Sequence, residues 1–131
     1  MIALDTNVVI RLLMADDEAQ YDRVKRLLQR LQDEGEEAVI TDNVLSETVW
    51  VLKAYYQAGK GEIVSALEYL ASAVGFRLAS PLRFYNALNA FTNGRGDFAD
   101  YLLREQAFEA GCRTVATFDK ALLTDEGFFE P

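Results

Sequence analysis

The chain begins with MIALDTNVVIRLL (1–13), and this stretch decides how the rest of the sequence is interpreted. Its first residues, 1–4, have the apolar character of a short buried strand, and helical periodicity begins near Asn7. Asp5 and Thr6 stand between the two patterns. An aspartate before a periodic apolar stretch is a common helix N-cap, so Asp5 has a structural explanation. A functional role depends on whether other carboxylates occupy equivalent places.

The composition predicts one soluble globular domain that spans residues 1–131. Half of the residues are hydrophobic and 26% are charged, and no apolar run approaches the length of a membrane span. The basic-then-apolar pattern of a signal peptide is missing, because Asp5 interrupts it. A single cysteine, Cys112, excludes an intrachain disulfide and a zinc–thiolate cluster. We therefore expect a cytoplasmic protein with no membrane partner.

Histidine is absent from the sequence, which excludes histidine-based triads, acid/base pairs and metal sites. Catalysis would have to use carboxylates, hydroxyls, basic side chains or a bound metal. The net charge of −8 argues against nonspecific nucleic-acid binding, because phosphate contacts require positive charge. However, several acids that converge on divalent cations would form a site that is neutral or positive when loaded.

Strand and helix patterns alternate along the chain. Strands are predicted at 1–4, 37–41, 76–79, 113–118 and 127–129. Helices are predicted from about Asn7, at about 17–34, 43–57, 62–74, 81–92 and 97–110, and as a short segment from Lys120. Strands separated by helices imply crossover connections and a mainly parallel sheet that is covered on both faces. Sites in such sheets form outside the carboxyl ends of the strands.

Acidic side chains recur at these carboxyl ends. Asp5 follows the first strand, and Asp119 ends RTVATFD (113–119) after a later one. Glu47 lies one turn into the helix of DNVLSETVWVL (42–52), on or beside an apolar stripe. Two interpretations of Glu47 stay open: a buried carboxylate that needs a partner, or an edge residue whose head is in water.

Asp97 and Asp100, in GDFADYLL (96–103), are one helical turn apart and share a face. Asp97 is a candidate N-cap, whereas capping does not explain Asp100. Carboxylates gathered at one sheet edge raise each other's pKa unless cations neutralise them. All-oxygen ligands select Mg²⁺ or Mn²⁺, and such an ion activates water to attack a phosphodiester.

Four blocks of sequence resemble, in order and spacing, the acidic blocks of the PIN-domain family. These are LDTNV (4–8), LSETVWVL (45–52), DFADYLLREQAFEAGC (97–112) and TVATFDKAL (114–122). The resemblance covers almost the whole chain and is closest to the small VapC-type ribonucleases, which are toxins of toxin–antitoxin pairs. It implies an α/β fold: a three-layer α/β/α domain with a central, mainly parallel sheet of four to five strands.

The resemblance also implies the site and its chemistry. The catalytic quartet maps onto Asp5, Glu47, Asp100 and Asp119. The metal ligands would be Asp5, Asp100 and Asp119, with Asp97 as an accessory ligand, and the supporting residues that orient carboxylates would be Thr6, Asn7 and Thr117. The implied activity is that of a Mg²⁺- or Mn²⁺-dependent endoribonuclease with an RNA substrate. Such proteins are usually homodimers held inactive by a cognate antitoxin protein.

Two further classes of function compete with the nuclease, and the first comprises other proteins whose chemistry uses aspartates and a metal. A phosphatase of the haloacid-dehalogenase type also has an Asp after its first strand, but it needs a second Asp two positions later, where this chain has Asn7. A response-regulator receiver domain distributes its acids differently. The second competitor is a non-catalytic PIN-fold interaction module that binds a partner protein, against which the full set of acids argues.

Overall fold

The computed structural model describes residues 1–131 and contains six helices and five short strands. The elements, in chain order, are β1 (Ile2–Ala3), α1 (Thr6–Met14), α2 (Glu18–Asp33), β2 (Ala38–Ile40), α3 (Asp42–Ala54), α4 (Lys60–Ser72), β3 (Phe76–Leu78), α5 (Pro81–Asn93), α6 (Phe98–Glu109), β4 (Val115–Ala116) and β5 (Phe128–Phe129). They divide into an N-terminal unit, Met1–Ala79, and a C-terminal unit, Ser80–Pro131. The prediction of a single domain stays a prediction.

The N-terminal unit is built on a three-stranded parallel sheet in the order β1-β2-β3. Ile2 pairs with Ala38, and Ile40 pairs with Leu78. Each connection between neighbouring strands passes through two helices, as parallel pairing requires. The apolar core of this unit includes Leu4, Val9, Ile10, Ile40, Leu45, Leu67 and Leu70, all of which are buried.

Local capping chemistry fixes where the first helices begin. Asp5 has an extended backbone and is the N-cap of α1, as the sequence predicts. For α3, which the sequence predicts to begin near Asn43, the N-cap is Thr41, whose hydroxyl accepts a hydrogen bond from Val44 N at 3.4 Å. The helix therefore starts one residue earlier, with Asp42 in its first turn, where a negative charge is favourable.

The C-terminal unit contains α5, α6 and the parallel pair β4-β5, in which Val115 pairs with Phe128. Pro81 occupies the first turn of α5, where its missing N–H costs nothing. The buried ring of Phe98 has edge-to-face contacts with Phe84 and Phe91, with centroids 6.0 and 6.1 Å apart. These aromatic contacts pack α6 against α5.

Tyr101 organises the turn between α5 and α6. Its side chain is fully buried, and its hydroxyl accepts a hydrogen bond from Gly96 N (2.9 Å) and donates one to Asp125 Oδ2 (2.6 Å). Gly94 also approaches this hydroxyl closely, because a Cβ on Gly94 would lie 2.0 Å from it. A side chain at position 94 would therefore collide with the buried ring of Tyr101.

The α/β class with parallel strands is confirmed, and two details differ from the sequence prediction. The five strands form a three-stranded and a two-stranded sheet instead of one. The short helix predicted from Lys120 is wrong: this segment forms turns, with Leu122 N donating to Asp119 O and Asp125 N to Leu122 O. The segment from Lys120 to Gly127, whose φ is +92°, is too short for helix formation to offset the cost of nucleation. None of the helices has both the length and the apolar character needed to cross a membrane.

Candidate active site

Helices α1 and α3 form the walls of a groove in the N-terminal unit, with a volume of about 330 Å³. Its lining consists of Asp5, Thr6, Asn7, Ile10, Arg11, Asp16, Glu47, Val51, Tyr55 and Tyr56. Four of these are predicted site residues from two separate sequence blocks. The structure therefore brings Asp5, Thr6 and Asn7 to the same groove as Glu47.

Helical periodicity explains how each wall is made. Residues four apart on a helix share a face. On α1, Thr6 precedes Ile10 by four residues and Asn7 precedes Arg11 by four. On the other wall, Glu47, Val51 and Tyr55 are successive members of such a row, from α3 to its C-cap. A carboxylate begins this row and an aromatic ring ends it.

Asp5 combines capping with an accessible position. Its Oδ1 accepts a hydrogen bond from Thr6 N at 2.7 Å, and the residue is exposed. The cap bond orients the carboxylate and leaves it with further acceptor capacity, because each carboxylate oxygen has two lone pairs. The capping role is confirmed, and it is compatible with binding a cation.

Thr6 supports Asp5 in a way that the sequence did not suggest. The backbone N–H of Thr6, and not its hydroxyl, binds the carboxylate. Thr6 is 4% exposed and its Oγ1 has no hydrogen-bond partner, and the same is true of Thr48 Oγ1 at 0% exposure. An unpaired buried hydroxyl is destabilising, so each requires an explanation. Thr6 lines the groove beside the predicted acids, although its hydroxyl oxygen is buried.

Glu47 is an exposed edge residue, which decides between the two interpretations of its sequence context. The buried face of α3 is formed by Leu45, Thr48, Val49 and Leu52. Trp50 is 67% exposed and does not belong to a buried stripe. The Glu47 carboxylate therefore meets solvent in the groove and carries no burial penalty.

Arg11, Asp16 and Tyr56 form a hydrogen-bonded group that sequence reasoning missed. Arg11 Nη1 donates to Asp16 Oδ1 (2.8 Å), and the Tyr56 hydroxyl donates to Asp16 Oδ2 (2.7 Å). Arg11 Nε also donates to Gln20 Oε1 at 2.7 Å. The hydrogen bond from Tyr56 lowers the pKa of the Asp16 carboxyl, and the positive charge of Arg11 lowers it further. The same bond raises the pKa of Tyr56, because deprotonation would remove the donor.

No sequence signal links these three residues. In the sequence, Asp16 is one of several acids at a helix start, and Arg11 is interpreted as a solvated surface charge. Tyr56 follows α3, far from both in sequence. The three residues come together only because α1 packs against α3.

In the C-terminal unit, Asp97 and Asp100 begin α6. Asp97 is the N-cap, and Asp100 Oδ2 accepts a hydrogen bond from Asp97 N at 3.0 Å. This is the reciprocal bond of a capping box. The expectation that capping does not explain Asp100 is therefore wrong, because the aspartate at this third helical position reaches back to the cap residue. Asp100 is half-buried and Asp97 is exposed.

Asp119 follows β4 and caps a turn instead of a helix. Its Oδ1 accepts a hydrogen bond from Ala121 N at 2.9 Å, and the residue is exposed. Thr117 Oγ1 accepts from Asp119 N at 3.0 Å. Thr117 thus holds the backbone of Asp119. This hydrogen bond fixes the turn without a contact between the Thr117 hydroxyl and the Asp119 carboxylate.

The donors in the groove fit a hard divalent cation. Neither unit contains by itself a group of three or more His, Cys, Asp or Glu side chains placed to hold a metal. Mg²⁺ does not need such a cage, because proteins commonly bind it through one or two carboxylates, with water and substrate phosphates completing the shell. Asp5 and Glu47 provide two accessible carboxylates in one groove, and the lining offers no nitrogen or sulfur ligand of the kind that zinc prefers.

These features define an α/β protein with a carboxylate-lined groove at the end of its first strand. The chain belongs to the PIN domain family, whose model matches residues 2–124. It is also similar to the VapC ribonuclease of Aquifex aeolicus (strain VF5), with 22% identity over 120 residues that cover 92% of this chain and 88% of that protein. The family resemblance predicted from the four sequence blocks is confirmed.

Proposed function

We propose that this protein is a Mg²⁺- or Mn²⁺-dependent endoribonuclease and the toxin of a toxin–antitoxin pair. The observation that carries the proposal is the position of Asp5 and Glu47 in one groove of a PIN domain. Similarity to a protein named VapC ribonuclease supports RNA as the substrate. The absence of histidine is consistent with this chemistry, because a metal-dependent hydrolysis needs no imidazole base.

The proposed catalytic residues are Asp5, Glu47, Asp100 and Asp119, and the proposed metal ligands are Asp5, Asp97, Asp100 and Asp119. For Asp5 and Glu47 the groove supports the proposal. For the three acids of the C-terminal unit, it rests on the family resemblance.

When bound, the cation lowers the pKa of a water molecule and offsets negative charge on the phosphate. The protein supplies the remaining functions. Asp5 is held by its bond from Thr6 N, so its carboxylate is already oriented before any ligand arrives. Glu47 is an exposed carboxylate and is the group in the groove suited to accept a proton from the attacking water. Arg11, fixed by Asp16, provides the positive charge of the lining.

The partners follow from the same family. We propose that a cognate antitoxin protein holds the enzyme inactive and that the active form is a homodimer. The cytoplasmic location also stays a prediction. The net charge of −8 restricts RNA binding to places where local contacts overcome repulsion, which favours a narrow set of RNA targets.

The decisive experiment uses the protein purified free of any partner and incubated with structured RNAs. We expect cleavage with Mg²⁺ or Mn²⁺, loss of cleavage in EDTA, and loss by at least about a hundredfold in Glu47→Gln and Asp5→Asn, since each removes a group used in the reaction. Glu68→Gln is the matched control, because it removes an exposed carboxylate of α4 outside the groove. Cleavage that survives EDTA or persists in both groove variants would overturn the proposal.

Thermal unfolding gives an independent readout. A ligand that binds only the folded state raises the melting temperature, so Mg²⁺ or Mn²⁺ should raise it in the wild type and less in Asp5→Asn. If no RNA is cut and no metal raises the melting temperature, the interaction module is the better description.

A further inference from the structure

Tyr55 places an exposed aromatic ring in the groove, eight residues after Glu47 in the sequence. It lines the groove, yet its side chain is 76% exposed. Its hydroxyl makes no hydrogen bond in the structure. An aromatic side chain of this size is usually packed or bonded through its polar tip, so the open ring requires an explanation.

The ring of Tyr55 is fixed in place by its neighbour. It has an edge-to-face contact with the ring of Tyr56, with centroids 4.9 Å apart and an interplanar angle of 73°. Tyr56 is in turn held by hydrogen bonds to Asp16 and from Arg11. The Arg11–Asp16–Tyr56 group therefore positions the ring against which Tyr55 packs, and this contact restricts the rotamers of Tyr55 on that side before a ligand stacks on it.

The helix sets the distance from the ring to the acids. Tyr55 follows Glu47 by eight residues in the same row, which corresponds to about 12 Å along the axis of α3. A base stacked on Tyr55 would therefore belong to a nucleotide that flanks the one reacting at Glu47, and not to the reacting nucleotide itself.

The charge of the groove favours RNA binding through base stacking over binding through phosphate contacts alone. The lining has three carboxylates, Asp5, Asp16 and Glu47, and one basic side chain, Arg11. Phosphate contacts alone bind poorly where acids outnumber bases. Stacking between a base and an aromatic ring does not depend on charge and is available to every base.

From this geometry we infer that Tyr55 is the platform of a nucleobase-stacking subsite for single-stranded RNA, held ready by the Arg11–Asp16–Tyr56 group. The inference rests on the proposed function in taking RNA as the ligand of the groove. It adds a specificity-determining contact outside the carboxylates, and it favours RNA that is unpaired where it leaves the reacting phosphate, because a base inside a duplex already has both faces stacked on its neighbours.

The test measures binding in EDTA, so that the result does not depend on cleavage. Single-stranded RNA oligonucleotides with 2-aminopurine at successive positions are titrated with the wild type, Tyr55→Ala and Tyr55→Phe. We expect one label position to be quenched by the wild type. Tyr55→Ala should lose that quenching and bind about 5- to 150-fold more weakly, whereas Tyr55→Phe should keep both, since stacking uses the ring and not the hydroxyl.

Trp50→Ala is the matched control, because Trp50 is another exposed aromatic residue of α3 that does not line the groove. It should bind as the wild type does. The ratio of the wild-type and Tyr55→Ala dissociation constants should also be nearly independent of salt, because stacking releases no counterions.

Several results would overturn the inference. These are wild-type affinity in Tyr55→Ala, an equal loss in Tyr55→Phe, no binding by the wild type, or an altered oligomeric state in Tyr55→Ala with unchanged RNA affinity, which would assign the ring to a protein contact. Failure of the proposed function gives a different pattern. If 2-aminopurine is quenched by Tyr55 but no metal-dependent cleavage occurs, the subsite stands and the nuclease does not.

Discussion

The Tyr56 hydroxyl donates a 2.7 Å hydrogen bond to Asp16 Oδ2 and so joins the segment after α3 to the loop between α1 and α2. Arg11 Nη1 binds the other oxygen of the same carboxylate at 2.8 Å. A single carboxylate thereby ties three segments of the chain together at the edge of the groove. The properties of this group are open to direct measurement.

Tyr56→Phe should lower the stability of the protein at neutral pH. The variant should also lose less stability than the wild type when the pH is lowered. The pKa of Asp16 is depressed in the folded protein, chiefly by the bond from Tyr56. A depressed carboxyl pKa contributes stability that is present above the unfolded value of about 4 and is lost as the pH falls through the folded value. The difference in melting temperature between wild type and Tyr56→Phe should therefore be largest above about pH 5 and shrink below about pH 4.

Tyr55→Phe is the control for this measurement, since it deletes the hydroxyl of the adjacent tyrosine, for which the structure gives no hydrogen bond. Its melting temperature should follow that of the wild type at every pH. A constant difference between wild type and Tyr56→Phe from pH 3 to pH 7 would contradict the assigned role of the Asp16 carboxylate.

Two substitutions of Asp5 separate its capping role from its catalytic role. Asparagine caps helices about as well as aspartate, so Asp5→Asn should keep wild-type stability while it abolishes metal-dependent RNA cleavage. Asp5→Ala should lose the activity and also about 1 kcal/mol of stability, because Thr6 N loses its acceptor. Urea unfolding and the cleavage assay together check this. A stable and active Asp5→Asn variant would show that Asp5 acts only as a helix cap.

Tyr101→Phe should destabilise the protein by about 1–3 kcal/mol, because it removes a buried hydroxyl with two hydrogen bonds and leaves the Gly96 N–H without an acceptor. Burial, and then the bond to Asp125, raise the pKa of Tyr101. A raised tyrosine pKa contributes stability below the unfolded value of about 10 that is lost as the pH rises through the folded value. The stability difference between wild type and Tyr101→Phe should therefore narrow above pH 10 in denaturant titrations. A difference that stays constant through this range would contradict the pKa shift.

Thr48→Val should raise stability by about 1 kcal/mol, because it replaces a buried hydroxyl without a partner by a methyl group of similar shape. Both residues are β-branched, so the helix propensity hardly changes. In the control Thr92→Val, the lost hydroxyl donates to Leu88 O at 2.8 Å, and no gain is expected. A lower melting temperature in Thr48→Val would show that the hydroxyl contributes a favourable contact.

Local sequence patterns determined much of this protein. The alternation of strands and helices predicted the parallel α/β class, and the first helix begins after Asp5 as predicted. The order of the acidic blocks predicted the family, which the match over residues 2–124 confirms. These features depend on periodicity and capping, which act over a few residues and are therefore readable from the chain alone.

Other features of the structure could not be predicted from the sequence, as particular residues show. Capping was not predicted for Asp100, yet its carboxylate forms the return bond of a capping box, because the side-chain rotamer decides whether a carboxylate reaches back to the cap residue. Glu47 was ambiguous, since periodicity identifies a stripe but does not fix its edge. The division of the strands into two sheets depends on pairing between distant segments, which no local pattern specifies.

The sequence by itself thus determined the fold class, the family and the two groove acids, Asp5 and Glu47, as candidates. Only the tertiary structure decided that Arg11, Asp16, Tyr55 and Tyr56 share a groove with them. The physical reason is that these residues meet through the packing of α1 against α3. The angle and register of that packing are set by the whole core of the unit, and no short stretch of the sequence contains them.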